Sequence, residues 1–218
     1  MGLRESKKQE TRQLISDCAT RLFIDQGFEQ TTITEIAAAA RVAKKTVTNY
    51  FPRKEDLALD HHEAFTGGLA RTVVEREPGE EPLVALGRTF RAALLAHSPV
   101  VGFTGLPFAR MVADSPTLTA RLRELHDLRE DSLAVALADA ASQTSADATP
   151  NTAPALAHRA HAALIAAADR LLFRRIQELT LAGRTDDEIE ATLLPEADHL
   201  RALLAAALGN RPAAESPS

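Results

Sequence analysis

The 218 residues are 45% hydrophobic and 25% charged with a formal charge of −5 at pH 7, enough apolar content to bury a real core, which excludes disorder as a description of the whole chain. No uncharged apolar run reaches about eighteen residues and no charged-apolar-small leader opens the chain, so neither a membrane span nor a signal peptide is indicated and a cytoplasmic protein is expected. The single cysteine, Cys18, has no partner for an internal disulfide and reads as a small core residue.

The charge is unevenly spread. Residues 1–54 hold ten Lys and Arg against six Asp and Glu, a balance of +4, whereas residues 55–218 hold fifteen against twenty-four, a balance of −9. All five lysines, Lys7, Lys8, Lys44, Lys45 and Lys54, lie in the first part. A small basic module over 1–54 thus precedes a larger acidic one over 55–210, and "RPAAESPS" reads as a disordered tail over 211–218.

Ala, Leu, Arg and Glu dominate and no alternating strand pattern is seen, so an all-α fold is predicted. The first helix is expected from about Lys7 to Gln26, with Leu14, Ile15, Cys18, Leu22 and Phe23 on one face and Gly27 ending it. "TTITEIAAAA" offers a capping box, Thr32 with Glu35 three residues on, and an apolar face of Ile33, Ile36, Ala37 and Ala40. "KKTVTNYF" has room for about two turns before Pro52. "RKEDLALDHHEAF" begins a fourth helix expected to reach about Arg76, with a bend at Gly67 and Gly68. Further helices are expected at Leu83–Ala96, Gly102–Ala113, Pro116–Ser142 and Pro154–Ala182, with a broken pair over Asp186–Leu208 and "SQTSADATPNTAP" as a flexible connection.

The stretch "RVAKKTVTNYFPRKEDL", Arg41 to Leu57, concentrates five basic side chains in an acidic chain. At a hundred degrees per residue, Val47 and Phe51 share one face of the third helix while Lys45 and Asn49 point the opposite way. Thr46 and Tyr50 flank that free face on one edge, Lys44 and Thr48 on the other. A charged face can be merely solvated. Here, however, a short capped helix, a tight connection and a second short helix with exposed donors and acceptors make a helix-turn-helix, and the second helix suits reading base edges in a major groove.

These residues resemble the TetR family of bacterial transcription regulators. The likeness runs from Ile15 to Leu57 through Phe23, Gly27-Phe28, Thr31-Thr32, Ile36-Ala37, Val42, Thr46 and "YFPRKEDL". The resemblance implies a recognition helix over Lys44–Phe51, with Thr46, Thr48 and Asn49 near bases and Tyr50 and Lys54 on phosphates of a double-stranded operator; Lys44 and Lys45, on the free side of the same helix, are further base-reading candidates. Thr32 would add a phosphate contact or a cap. This sequence departs from the family pattern at Arg41, often glycine; at Ala43, often serine; at Lys45, often glycine; and at Thr48, often tyrosine. Ala43 lacks a side-chain cap, and Arg41 is strained if its backbone needs positive φ.

The resemblance further implies a homodimer and a small-molecule effector, with no membrane partner. On residue grounds, Leu156, Ala160, Ala163, Ala167, Leu171 and Leu172 form a broad stripe, and Leu200, Leu203, Leu204 and Leu208 a second, together suited to an intersubunit four-helix bundle or to an ordinary intrachain core. Phe103, Phe108 and Met111 are candidate cavity residues, with His97, His126 and His161 as candidate polar contacts; structural packing is the alternative for each. The nearest approach to a metal or catalytic signature, "HHE" at His61–Glu63, lacks the i, i+4 spacing of a zinc helix, and Cys18 has no base beside it, so no enzyme, metal or cofactor is expected. The expected function is a repressor released from a twofold operator by its effector, with a corepressor-dependent regulator or a helical interaction scaffold as alternatives.

Overall fold

The strong helix formers that fill this sequence leave few positions at which a strand could start. The computed structural model describes residues 3–144 and 152–209, and these form helices and connecting turns, with no strand among them. The helices are α1 (Leu3–Gln26), α2 (Ile33–Ala39), α3 (Lys44–Tyr50), α4 (Lys54–Ala58), α5 (His62–Val74), α6 (Pro82–Leu95), α7 (Leu106–Asp114), α8 (Pro116–Thr144), α9 (Thr152–Leu181) and α10 (Asp186–Ala207), with a 3-10 turn at Pro99–Val101. Of the predicted connection over 142–154, residues 142–144 belong to α8 and 152–154 to α9, while residues 145–151, like the tail over 211–218, fall outside the described residues. No single described helix is long and apolar enough to cross a membrane.

Two compact units divide the chain. The first comprises residues up to Glu63 together with Gly105–Glu124; the second comprises Ala64–Thr104 and residues from Leu125 onward. The first core gathers Ile15, Ala19 and Phe23 of α1, Ile36 and Ala37 of α2, Val47 of α3, Phe51 and Leu57, and it also takes Met111, Val112 and Leu118. The seam of α1 sits one residue round from expectation: Ile15, Ala19 and Phe23 are buried, Cys18 and Leu22 pack at its edge, and Leu14 is exposed. An internal ion pair ties α8 to α4 within this unit, Arg121 donating to Asp56 Oδ1 from Nε at 3.1 Å and Nη2 at 2.8 Å. Burial works against the Arg121 charge, yet its hydrogen bonds to Glu124 and Asp56 outweigh that and hold its pKa above the ordinary value.

The expected fourth helix is two helices, α4 and α5. It breaks at Leu59–His61 and runs without interruption through Gly67 and Gly68. Contacts from α1 explain the break: Ser16 Oγ donates to the Asp60 carboxylate and Arg12 Nη2 to the Asp60 carbonyl at 3.4 Å. Those partners draw the backbone out of helical register more strongly than two glycines weaken it. The predicted Gly102–Ala113 helix likewise starts late, at Leu106, because Gly102 (φ 124°) and Gly105 (φ 75°) take left-handed backbone. At the other end of the chain, the expected broken pair is one helix, α10, which carries an exposed Pro195 while Ile189 and Leu193 are buried on its inner side.

The second unit holds two apolar clusters, one around Leu69, Leu133, Ala162 and Ile165, the other around Leu94, Phe103, Ile176, Ile189 and Leu193. Near the first lies a buried charge pair. Arg129, 4% exposed, donates to both oxygens of Asp169 at 2.8 and 3.1 Å and to the Phe65 carbonyl, and its guanidinium stands 4.6 Å over the Phe65 ring. Gly68 lets it in, since a Cβ there would lie 3.2 Å from Arg129 Nη1.

Candidate nucleic-acid interface

The capping box at the start of α2 forms in full. Glu35 N–H donates to Thr32 Oγ1 at 3.2 Å and Thr32 N–H to Glu35 Oε2 at 2.7 Å, so two orphan helix donors are satisfied reciprocally. The α2–α3 connection is closed by backbone alone, Arg41 N–H to Ala38 at 3.1 Å and Val42 N–H to Ala37 at 2.9 Å. Arg41 sits at φ 54°, the left-handed region that favours glycine, and Ala43 at φ −70°, ψ 146° caps α3 without a side-chain hydrogen bond. Both departures from the family pattern therefore have the structural consequence expected of them.

On α3 the division of faces is sharp. Val47 is fully buried and Phe51 1% exposed, whereas Lys44, Lys45, Thr48 and Asn49 are exposed and Thr46 and Tyr50 half-buried. The exposed face is short, polar and basic, with the donors and acceptors that groove reading uses. Thr48 Oγ also donates to the Lys45 carbonyl at 3.1 Å. Thr32 is exposed, with its hydroxyl engaged in the capping box.

Two cations have internal roles. Lys54 is half-buried: its Nζ lies 4.3 Å from the centre of the Phe28 ring and donates to the Glu29 carbonyl at 3.3 Å. Burial lowers its pKa, opposed by Glu29, Glu55 and Glu35. Arg12 stands 4.3 Å over the Phe51 ring and points Nη1 at the Tyr50 carbonyl, 3.5 Å away, at the C-terminal end of α3. A cation there opposes the negative end of the helix dipole.

Sequence reasoning missed part of the surface. Glu5, Lys7, Lys8 and Thr11 of α1 line an open groove with Asn49 and Tyr50 of α3. Lys7 and Lys8 are exposed and make no ion pair among the described residues. The signal was present, two of only five lysines standing side by side, but helical periodicity alone does not bring the start of α1 to the end of α3.

The other predicted residues are dispersed. Met111 and Phe108 pack in the first unit's core and Phe103 in the second unit's. His97, at φ 46°, has Nε2 3.0 Å from Glu190 Oε2 and its ring against Phe103. His126 is 5% exposed, edge-on to Phe65 and Phe173, and its Nδ1 has no hydrogen-bond partner. Burial pushes its pKa down to about 4, with Arg170 adding to the effect. His161 is half-buried on α9. Of the expected dimer stripe, Leu156, Ala160, Ala167, Leu171 and Leu203 are exposed, Ala163, Leu200 and Leu204 half-buried, and Leu172 buried in the second unit's core. His61 Nε2 lies 3.7 Å from Asp60, and among the described residues no three His, Cys, Asp or Glu side chains are placed to hold a metal.

Known proteins share these features. Residues 15–60 match the family model for bacterial regulatory proteins of the tetR family. Over 138 residues the chain is 33% identical to the HTH-type transcriptional regulator TcmR of Streptomyces glaucescens, and over 85 residues 36% identical to the HTH-type transcriptional regulator AcrR of Shigella flexneri. These matches cover 61% and 38% of this chain, and the chain spans 61% of TcmR and 39% of AcrR. Among solved structures, Salmonella enterica GusR shares the fold with a TM-score of 0.53 at 18% identity, over 92% of this chain and 96% of that one. The matched stretch is the helix-turn-helix built above, and over residues 15–60 the chain is similar to bacterial regulatory proteins of the tetR family.

Proposed function

We propose that the chain is a homodimeric repressor that occupies a twofold operator in the cytoplasm and leaves it when a small molecule binds its second unit. The observation that carries the DNA reading is the two-faced α3: Val47 and Phe51 locked in the core, Lys44, Lys45, Thr48 and Asn49 offered outward. Base contacts are assigned to Lys44, Lys45, Thr46, Thr48 and Asn49, and phosphate contacts to Lys7, Lys8 and Tyr50. Lys54 and Thr32, both engaged internally, act chiefly by fixing the α1–α2 turn and the start of α2.

Dimerisation is supported by apolar surface that the subunit leaves uncovered. Leu156, Ala160, Leu164, Ala167 and Leu171 fall within about a hundred degrees of arc on α9, and Leu156 is 71%, Leu164 46% and Leu171 48% exposed. Leu203 of α10 adds 54% exposure. A second copy of the same stripe would remove this area from water, and a twofold pair of reading heads matches a palindromic site.

Selection of genomic fragments on the purified protein, followed by footprinting across a salt series, tests the reading. The expected result is protection of a palindrome with affinity that falls steeply with salt. Asn49→Ala should change base preference at defined operator positions. Binding of all fragments alike would remove sequence-specific regulation from consideration.

A further inference from the structure

Between α5, α6, α9 and α10 of the second unit lies a cavity of about 80 Å³, walled chiefly by aliphatic side chains and Phe90. One water needs about 10–15 Å³ on this scale, so several would fit, but the wall gives them few hydrogen-bond partners. Apolar atoms fill such a space more favourably than water does.

The charged groups at its edge are unequal. Asp169 is already saturated by Arg129. Arg91 and Arg201 share a single carboxylate, Asp198, and only loosely: Arg91 Nη1 is 3.8 Å from Oδ2 and Arg201 Nη2 3.9 Å from Oδ1, too long for strong hydrogen bonds. Two guanidiniums against one carboxylate leave a net positive rim with unused planar donors, the geometry that receives a carboxylate in two-pronged fashion.

Gly87 supports the view that this rim is built. It sits inside α6, where glycine is unfavourable and no unusual backbone angle calls for it. A Cβ at Gly87 would lie 2.6 Å from Arg201 Cδ. The glycine is what allows the Arg201 stem to lie against α6, with its guanidinium facing the same Asp198 carboxylate that Arg91 approaches.

We propose that this cavity binds an amphipathic carboxylate, its apolar body among Leu86, Phe90, Leu172 and Leu200 and its acid group between Arg91 and Arg201. The regulatory consequence rests on the repressor reading above; the binding site does not. Decanoate, decanol and decylammonium, matched in chain length, distinguish the contributions when titrated into the full chain by calorimetry. Decanoate should bind about tenfold or more tightly than decanol, with decylammonium weakest. The double variant Arg91→Ala/Arg201→Ala should bring decanoate to the level of decanol, with the unliganded melting temperature checking that the fold survives. Gly87→Ala, which displaces the Arg201 stem, should weaken decanoate more than decanol. Ala168→Leu, which enlarges a wall residue, should weaken all three probes. Equal binding of decanoate and decylammonium, no binding of any probe, or an arginine double variant that keeps its preference for decanoate would overturn the site. The same samples are then tested on selected operator DNA. Decanoate held through the arginines without any selective DNA binding would sink the repressor reading and leave the site standing, whereas selective DNA binding with no decanoate bound would do the reverse.

Discussion

Ala43→Ser is the most direct test of how α3 begins. Ala43 already has the extended backbone of an N-cap, at φ −70° and ψ 146°, and α3 is only seven residues long, so its unpaired first-turn amides are a large share of its donors. A serine oxygen at that position reaches the N–H of the second or third helical residue, a contact worth about 1 kcal/mol. For a chain of this length that corresponds to a rise of roughly 2–4 °C in melting temperature. The assay is thermal and urea unfolding of Ala43→Ser, Ala43→Gly and Ala43→Val without DNA, followed by circular dichroism. Serine should be the most stable of the series, wild type included, with an unchanged urea slope. A serine variant no more stable than wild type would show that water already satisfies those amides, and the account of an under-capped turn would fall.

Other outcomes follow from the charges. Asp169→Ala leaves Arg129 buried with a lost partner and should destabilise the protein by about 3–5 kcal/mol in urea unfolding, more than Asp198→Ala at the exposed rim. His126 refuses a proton in the folded state that the unfolded chain accepts, so stability should decline as pH falls below about 6.5 and level off near 4, a loss of about 3 kcal/mol in all that His126→Phe should abolish. Lys7→Ala with Lys8→Ala should weaken binding to every operator variant alike and flatten the salt dependence by about two charges per subunit, with base preference unaltered.

The local features of the helix-turn-helix were legible because they depend on neighbours in sequence. The Thr32–Glu35 box, the burial of Val47 and Phe51 and the strain at Arg41 each follow from residues a few positions apart. What the pattern did not carry was long-range. The break at Leu59–His61 depends on Arg12 and Ser16, more than forty residues away. Residues 105–124 join the first unit because Met111, Val112 and Leu118 enter its core, which no periodicity within α7 or α8 announces. The cavity is not legible in the sequence for a related reason: its wall consists of ordinary leucines and alanines from four helices, whereas Phe103, Phe108 and Met111 stand out only because two glycine-dependent turns make their surroundings irregular.

The confinement of lysine to the first 54 residues also acquires a physical reason. Arginine does the internal work of this protein, through paired donors that match a carboxylate: Arg129 on Asp169, Arg88 on Glu80 and Arg175 on Glu196 each use two nitrogens. A planar fork suits a fixed partner; of these pairs Arg129–Asp169 is buried, and Arg88–Glu80 and Arg175–Glu196 lie at the surface. Lysine is a hydrated point charge on a flexible stem, suited to phosphates whose spacing varies along a groove. Of the five lysines only Lys54 is turned inward, against Phe28 and the Glu29 carbonyl, and Arg12 and Arg53 are held by Tyr50 and Glu124. The exposed lysines that remain, Lys7, Lys8, Lys44 and Lys45, lie at the start of α1 and along α3, the two elements that border the groove beside Asn49 and Tyr50. The exposed lysine charge is therefore smaller than the residue count implies, and under the proposed function it is concentrated at the start of α1 and on α3, the helix proposed to read bases.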